Sequence, residues 1–116
     1  MTFTVIARDP QAGLLGIAQS TNPLAVGARC PFIRANVAAV SSQAYTDPGL
    51  GPLALELLSL GYAPEKVLRE LGESDSEYAY RQIGIVDRYG RAPPLHSPSS
   101  WKTSRCSPPR LAMSAC

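Results

Sequence analysis

Apolar positions come in short runs at the start of the chain and at helical spacing in its middle. Thr2 to Arg8 is brief and rich in β-branched residues, which favours a strand over a helix. Asp9-Pro10-Gln11-Ala12-Gly13 has turn chemistry, because Pro10 presets φ and Gly13 supplies a positive φ where the chain reverses. Leu14 to Ser20 then returns as a second strand, and Gly16 within it suggests a close backbone approach or a bulge. Asn22-Pro23 interrupts the pattern, and Leu24 to Gly27 is expected as a loop or a single helical turn.

A second strand pair follows, Ala28 to Ala35 and Val37 to Gln43, turning around Asn36. Val37-Ala38-Ala39-Val40 is apolar without alternation, as in a strand covered on both faces. Its small side chains admit a closely packed second layer, which points to sheet against sheet.

Leu50, Leu53, Ala54, Leu57 and Leu60 then mark one face of a helix. Asp47-Pro48 or Gly51-Pro52 offers its start and Gly61 its stop. Pro64 opens a second helix, with Val67, Leu68 and Leu71 on the apolar side and Glu65, Lys66, Arg69 and Glu70 toward water. After an acidic loop from Gly72 to Glu77, Tyr80 to Val86 reads as a fifth strand and Asp87-Arg88-Tyr89-Gly90 as a hairpin turn. The next strand is spoiled by Ala92-Pro93-Pro94, which removes two backbone donors. The predicted order is β-β-β-β-α-α-β with a broken β at the end.

Charge separates the tail from the rest. Residues 1–90 hold seven Lys/Arg against nine Asp/Glu, whereas residues 91–116 hold four basic residues and no acid. That tail also carries five prolines and six serines, a composition expected to stay disordered. The expected organisation is one small domain over residues 1–91 and a tail over 92–116. The ordered part shows no basic stripe, so nucleic acid is not expected as a partner. Cys30, Cys106 and Cys116 are odd in number and form no C-x-x-C, which suggests neither a disulfide framework nor a zinc site. No metal or cofactor is expected. Cys30 is expected as a small buried residue. There is no signal-peptide pattern and no run near the roughly 18 apolar residues of a membrane span, so a cytoplasmic protein without membrane contact is expected.

Several segments together resemble the family catalogued as domain of unknown function 1028. They are Thr2 to Pro10, Ala25-Val26-Gly27-Ala28, Ser42-Gln43-Ala44-Tyr45 through Gly51-Pro52, and Tyr80-Arg81-Gln82-Ile83-Gly84-Ile85-Val86-Asp87. The resemblance runs from residue 2 to about residue 91. That family is described as similar to the N-terminal-nucleophile hydrolases. It implies an α+β fold, a four-layer αββα sandwich of two sheets between helical layers, incomplete in a chain of this length. The family would run on after Gly90-Arg91 as an apolar strand, where this chain turns to Pro, Ser and Arg. The expectation drawn is a reading-frame shift or a mis-called gene near codon 91. Open sheet edges would then invite self-association, so a homo-oligomer is expected.

Chemistry of the N-terminal-nucleophile type needs a terminal Thr, Ser or Cys whose own α-amine, with a pKa near 8, serves as base. Thr2 qualifies in residue type once Met1 is removed, and its small side chain is compatible with that removal. Arg34 lies at about the spacing where proteasome-like members carry a lysine, and can act as a fixed positive charge. Ala18 and Gln19 stand where that class has an acid, while Ser20 and Thr21 can donate hydrogen bonds into the same cleft. The expected catalytic set is Thr2, Arg34 and Ser20, acting on a small amide or peptide. The alternative is a non-catalytic module that binds a partner or itself. Gly49-x-Gly51 lacks the Lys and Ser/Thr of a phosphate loop, and His96 has no triad partner in sight.

Overall fold

The computed structural model describes residues 2–96, 103–106 and 111–115. Four strands precede the helices: β1 (Thr2–Arg8), β2 (Leu15–Thr21), β3 (Pro31–Arg34) and β4 (Ala38–Ala44). Helices α1 (Leu50–Ser59) and α2 (Pro64–Ser74) follow, then β5 (Arg81–Asp87), β6 (Thr103–Cys106) and β7 (Leu111–Ala115). The strands form two sheets, one ordered β2-β1-β7-β6 and the other β3-β4-β5. The fold is mixed α+β, with two sheets and two helices.

Sheet packs on sheet, and both helices lie on the far side of the three-stranded sheet. Strand β4 is therefore the centre of the molecule, and Ala38 to Gln43 are all buried. Alternation sends Ala38 and Val40, with Ile83 and Ile85 of β5, toward Leu50, Ala54, Leu55, Leu58, Val67 and Leu71 of the helices. The opposite face of β4 looks at the four-stranded sheet, where Ala39 and Val86 meet Ile6, Leu15 and Ile17. Three layers, α/β/β, are present among the described residues.

The helix starts and stops follow local chemistry. Asp47 does not cap α1 from the first position; its Oδ1 accepts the Gly49 N–H at 2.8 Å in an Asx turn, and the helix begins at Leu50. Gly51 is packing-determined, since a Cβ there would lie 2.0 Å from Cδ2 of Phe32 on β3. Pro64 leads α2 as expected, and this helix continues to Ser74, into the stretch expected as a loop.

Described parts of the tail carry structure where the composition leads one to expect none. Backbone bonds of 2.9 and 3.1 Å join Ile83 and His96, so the two prolines are spent before the pairing begins and cost it no donor. Leu95 lies over Gly84, where a Cβ would come within 2.6 Å of its Cδ2. Strand β7 pairs antiparallel with β1, Phe3 opposite Ala115, and β6 pairs with β7.

Candidate functional site

Between the sheets, the inward-facing residues change from apolar to polar along β1. Its partners across the register are Ile17 for Ile6, Gln19 for Thr4 and Thr21 for Thr2. At the Thr4 level a buried hydrogen-bonded layer spans both sheets. The Thr4 hydroxyl donates to Oε1 of Gln43, and Nε2 of Gln43 donates to Oε1 of Gln82. Nε2 of Gln19 donates to Thr4 Oγ1 and Ser41 Oγ, each at 2.9 Å. Oε1 of Gln19 and Nε2 of Gln82 are buried without a hydrogen-bond partner among the described residues.

One level further along lies a cavity of about 110 Å³, open to solvent. The Thr2–Thr21 pair forms one wall, with the two hydroxyl oxygens 2.9 Å apart. Gln43 and Ala44 at the end of β4 form another, so the buried layer and the cavity share Gln43. The third comes from the segment after β2, where a 3-10 turn over Val26–Ala28 leads into Arg29 and Cys30. Cys30 is buried, with Sγ 3.8 Å from the Thr46 hydroxyl.

Two alanines beside this cavity hold left-handed backbone, Ala25 at φ 60° and Ala44 at φ 75°. Such conformations cost on the order of 1–3 kcal/mol each and persist where the surroundings over-determine them. Here the constraints are visible. The N–H groups of Arg29 and Cys30 both donate to Val26 O at 3.1 Å, and Ser42 N–H donates to Cys30 O at 3.0 Å. Beyond Ala44, the buried Arg81 guanidinium donates to Tyr45 O and pairs with Asp75 at 2.7 Å. That contact holds the Asp75 carboxyl below the usual carboxylate range and raises Arg81, burial opposing both.

The expected site residues are not all brought together. Thr2 lines the cavity. Ser20 points to the exposed face of the four-stranded sheet, because its neighbour Thr21 takes the inward position. Arg34 ends β3, four residues beyond Cys30 at the cavity's edge, roughly 13 Å along an extended chain. It forms an exposed ion pair with Glu56 at 3.2 Å. Gln43, Thr46 and Arg29 were not singled out as site residues by sequence. The available signal was that Gln43 and Ala44, and Val26 opposite, fall within segments that carry the family resemblance. Among the described residues, no group of three or more His, Cys, Asp or Glu is placed to hold a metal ion. No helix there is long and apolar enough to cross a membrane.

The fold and site thus define a mixed α+β protein in which Thr2, at the start of the first strand, faces an inter-sheet cavity. The chain belongs to the family of unknown function DUF1028, whose family model matches residues 2–105, past the point where the sequence resemblance was expected to end. It is similar to the crystal structure of protein SPO2555 from Silicibacter pomeroyi, of the same family, with a TM-score of 0.87 and 28% identity. The match covers 97% of this chain and 53% of that one, so this chain spans about half the length of its structural relative. No curated protein matches it.

Proposed function

We propose that the protein is an amide hydrolase of the N-terminal-nucleophile type, with Thr2 as the catalytic residue. The observation that carries this reading is the position of Thr2. It begins β1 at the wall of the cavity, with its hydroxyl 2.9 Å from that of Thr21. With Met1 removed, the Thr2 α-amine takes the hydroxyl proton as Oγ1 attacks the amide carbonyl. The amine of the substrate leaves with a proton, and water hydrolyses the resulting ester to a carboxylate and free Thr2. Thr21 orients the attacking hydroxyl. Ser20 and Arg34 stand outside this chemistry.

The four-layer sandwich belongs to the same reading. Helices cover the three-stranded sheet, and a second helical layer over the outer face of β2-β1-β7-β6 would complete the sandwich. A non-catalytic module associating through that outer face is the second reading, favoured by Phe3, which is 40% exposed there.

Intact-mass analysis tests the nucleophile first, since retained Met1 leaves no free amine on Thr2 and ends the proposal. If Met1 is lost, Thr2→Ala should abolish amide hydrolysis while leaving the circular dichroism spectrum and the melting temperature close to those of the parent.

A further inference from the structure

We infer that the Thr2 cavity takes a small amide bearing a carboxylate, and that Arg29 recognises that group. The charge balance of the walls is the first ground. The described lining residues are Thr, Pro, Leu, Val, Cys, Gln and Ala side chains plus Arg29, with no acid among them. A cationic ligand finds no counter-charge there, whereas an anionic one finds a guanidinium with up to five donors in a planar fork.

The second ground is that the Arg29 backbone is held in place while its side chain is exposed and not consumed. Its backbone is set by the 3-10 turn through the bond to Val26 O, and the next residue is tied to β4 by Ser42 N–H on Cys30 O. The left-handed Ala25 turns the chain into this geometry. The guanidinium itself makes no ion pair among the described residues, unlike Arg34, Arg81 and Arg91, each of which is engaged by a carboxylate. The Thr2 hydroxyl, paired with Thr21 at 2.9 Å, faces the amide end. The cavity's about 110 Å³ suits a short ligand whose two ends lie a few bonds apart.

This substrate class rests on the amide-hydrolase reading, but it is tested by binding alone. N-acetylglycine and its uncharged counterpart N-acetylglycinamide serve as probes in calorimetric titration of the full chain carrying Thr2→Ala, which prevents turnover. The expected result is a preference of about tenfold or more for the acid. Arg29→Gln should lower acid affinity to that of the amide and leave the amide's unchanged, and Arg29→Lys should restore part of the preference. Equal affinity for the two probes, binding of neither, or a preference that survives Arg29→Gln overturns the inference. Should the preference hold while the unmutated protein hydrolyses nothing, the nucleophile reading fails and the carboxylate site stands.

Discussion

Thr4 of the first strand and Gln43 of the central strand are joined by a buried side-chain hydrogen bond that crosses from one sheet to the other. Thr4 is 2% exposed and Gln43 1%, so neither group has water to fall back on. A buried polar group left unpaired costs about 1–3 kcal/mol, and Gln43 satisfies groups on both sheets.

Gln43→Ala is therefore expected to lower unfolding free energy by about 3 kcal/mol, beyond what its lost packing explains. Urea denaturation measures this. In a double-mutant cycle, Thr4→Val and Gln43→Ala should show a coupling of at least 0.5 kcal/mol or so. Strict additivity would show that the layer does not act as a unit.

Gly51→Ala sets a methyl against the Phe32 ring, which must move together with β3 or α1. Overpacking of this kind costs about 1–3 kcal/mol. The same substitution in a Phe32→Leu background should cost markedly less, because the ring that Gly51 accommodates is gone. A thermal melt of the four proteins resolves the difference.

The Arg81–Asp75 pair makes acid stability a local matter. Asp75 has a folded pKa below its unfolded value, chiefly from the Arg81 contact and the Glu77 N–H bond at 3.0 Å. Its contribution is complete above about pH 4 and is lost as pH falls below that toward the folded pKa. Asp75→Asn is expected to cost about 3 kcal/mol at neutral pH, since Glu77 and the Tyr45 carbonyl still serve the buried guanidinium. Its stability should also fall less steeply than the parent's below pH 4, measured by denaturation at fixed pH.

Tyr78 gives the opposite sign at the alkaline end. Burial first, and the Asp75 charge second, push its hydroxyl from 10.0 up to about 12. The stability this represents is present below pH 10 and is lost as pH rises from 10 toward 12. Tyr78→Phe should flatten the alkaline decline, followed by melting temperature across that range. The phenolate absorbance of the parent should show one tyrosine titrating late.

Thr21→Val removes the hydroxyl partner of Thr2 and keeps its shape. Under the proposed mechanism it should reduce kcat of amide hydrolysis by about tenfold or more with little change in KM, since it orients the nucleophile and does not bind substrate. Steady-state kinetics on an amide substrate separates the two constants.

How much was legible in the sequence varies with what each residue signals locally. The Ile6, Val40 and Leu71 positions follow from run length and period: short apolar runs for the two strand residues, helical spacing for Leu71. The polar layer does not announce itself. Thr4, Gln19, Gln43 and Gln82 look like solvent-facing strand residues until the second sheet is laid over them. Thr2 could be picked out from its position at the chain start. Arg29 could not, since only the fold brings the segment after β2 to the end of β4. His96 sat in a segment whose prolines argued against pairing, yet its backbone meets Ile83 and its ring stacks on Tyr78 at 3.8 Å.

The buried glutamines also settle an alignment that hydrophobic contact alone would leave loose. An interface made only of Ile, Val and Ala can slide by one pleat at small cost, because one aliphatic side chain serves nearly as well as the next. Sliding here would set the Gln43 amide against Ile6 and strand Thr4, Gln19 and Gln82 together. The two sheets thus have a single admissible registry, and that registry sets the Thr2 hydroxyl opposite the end of β4.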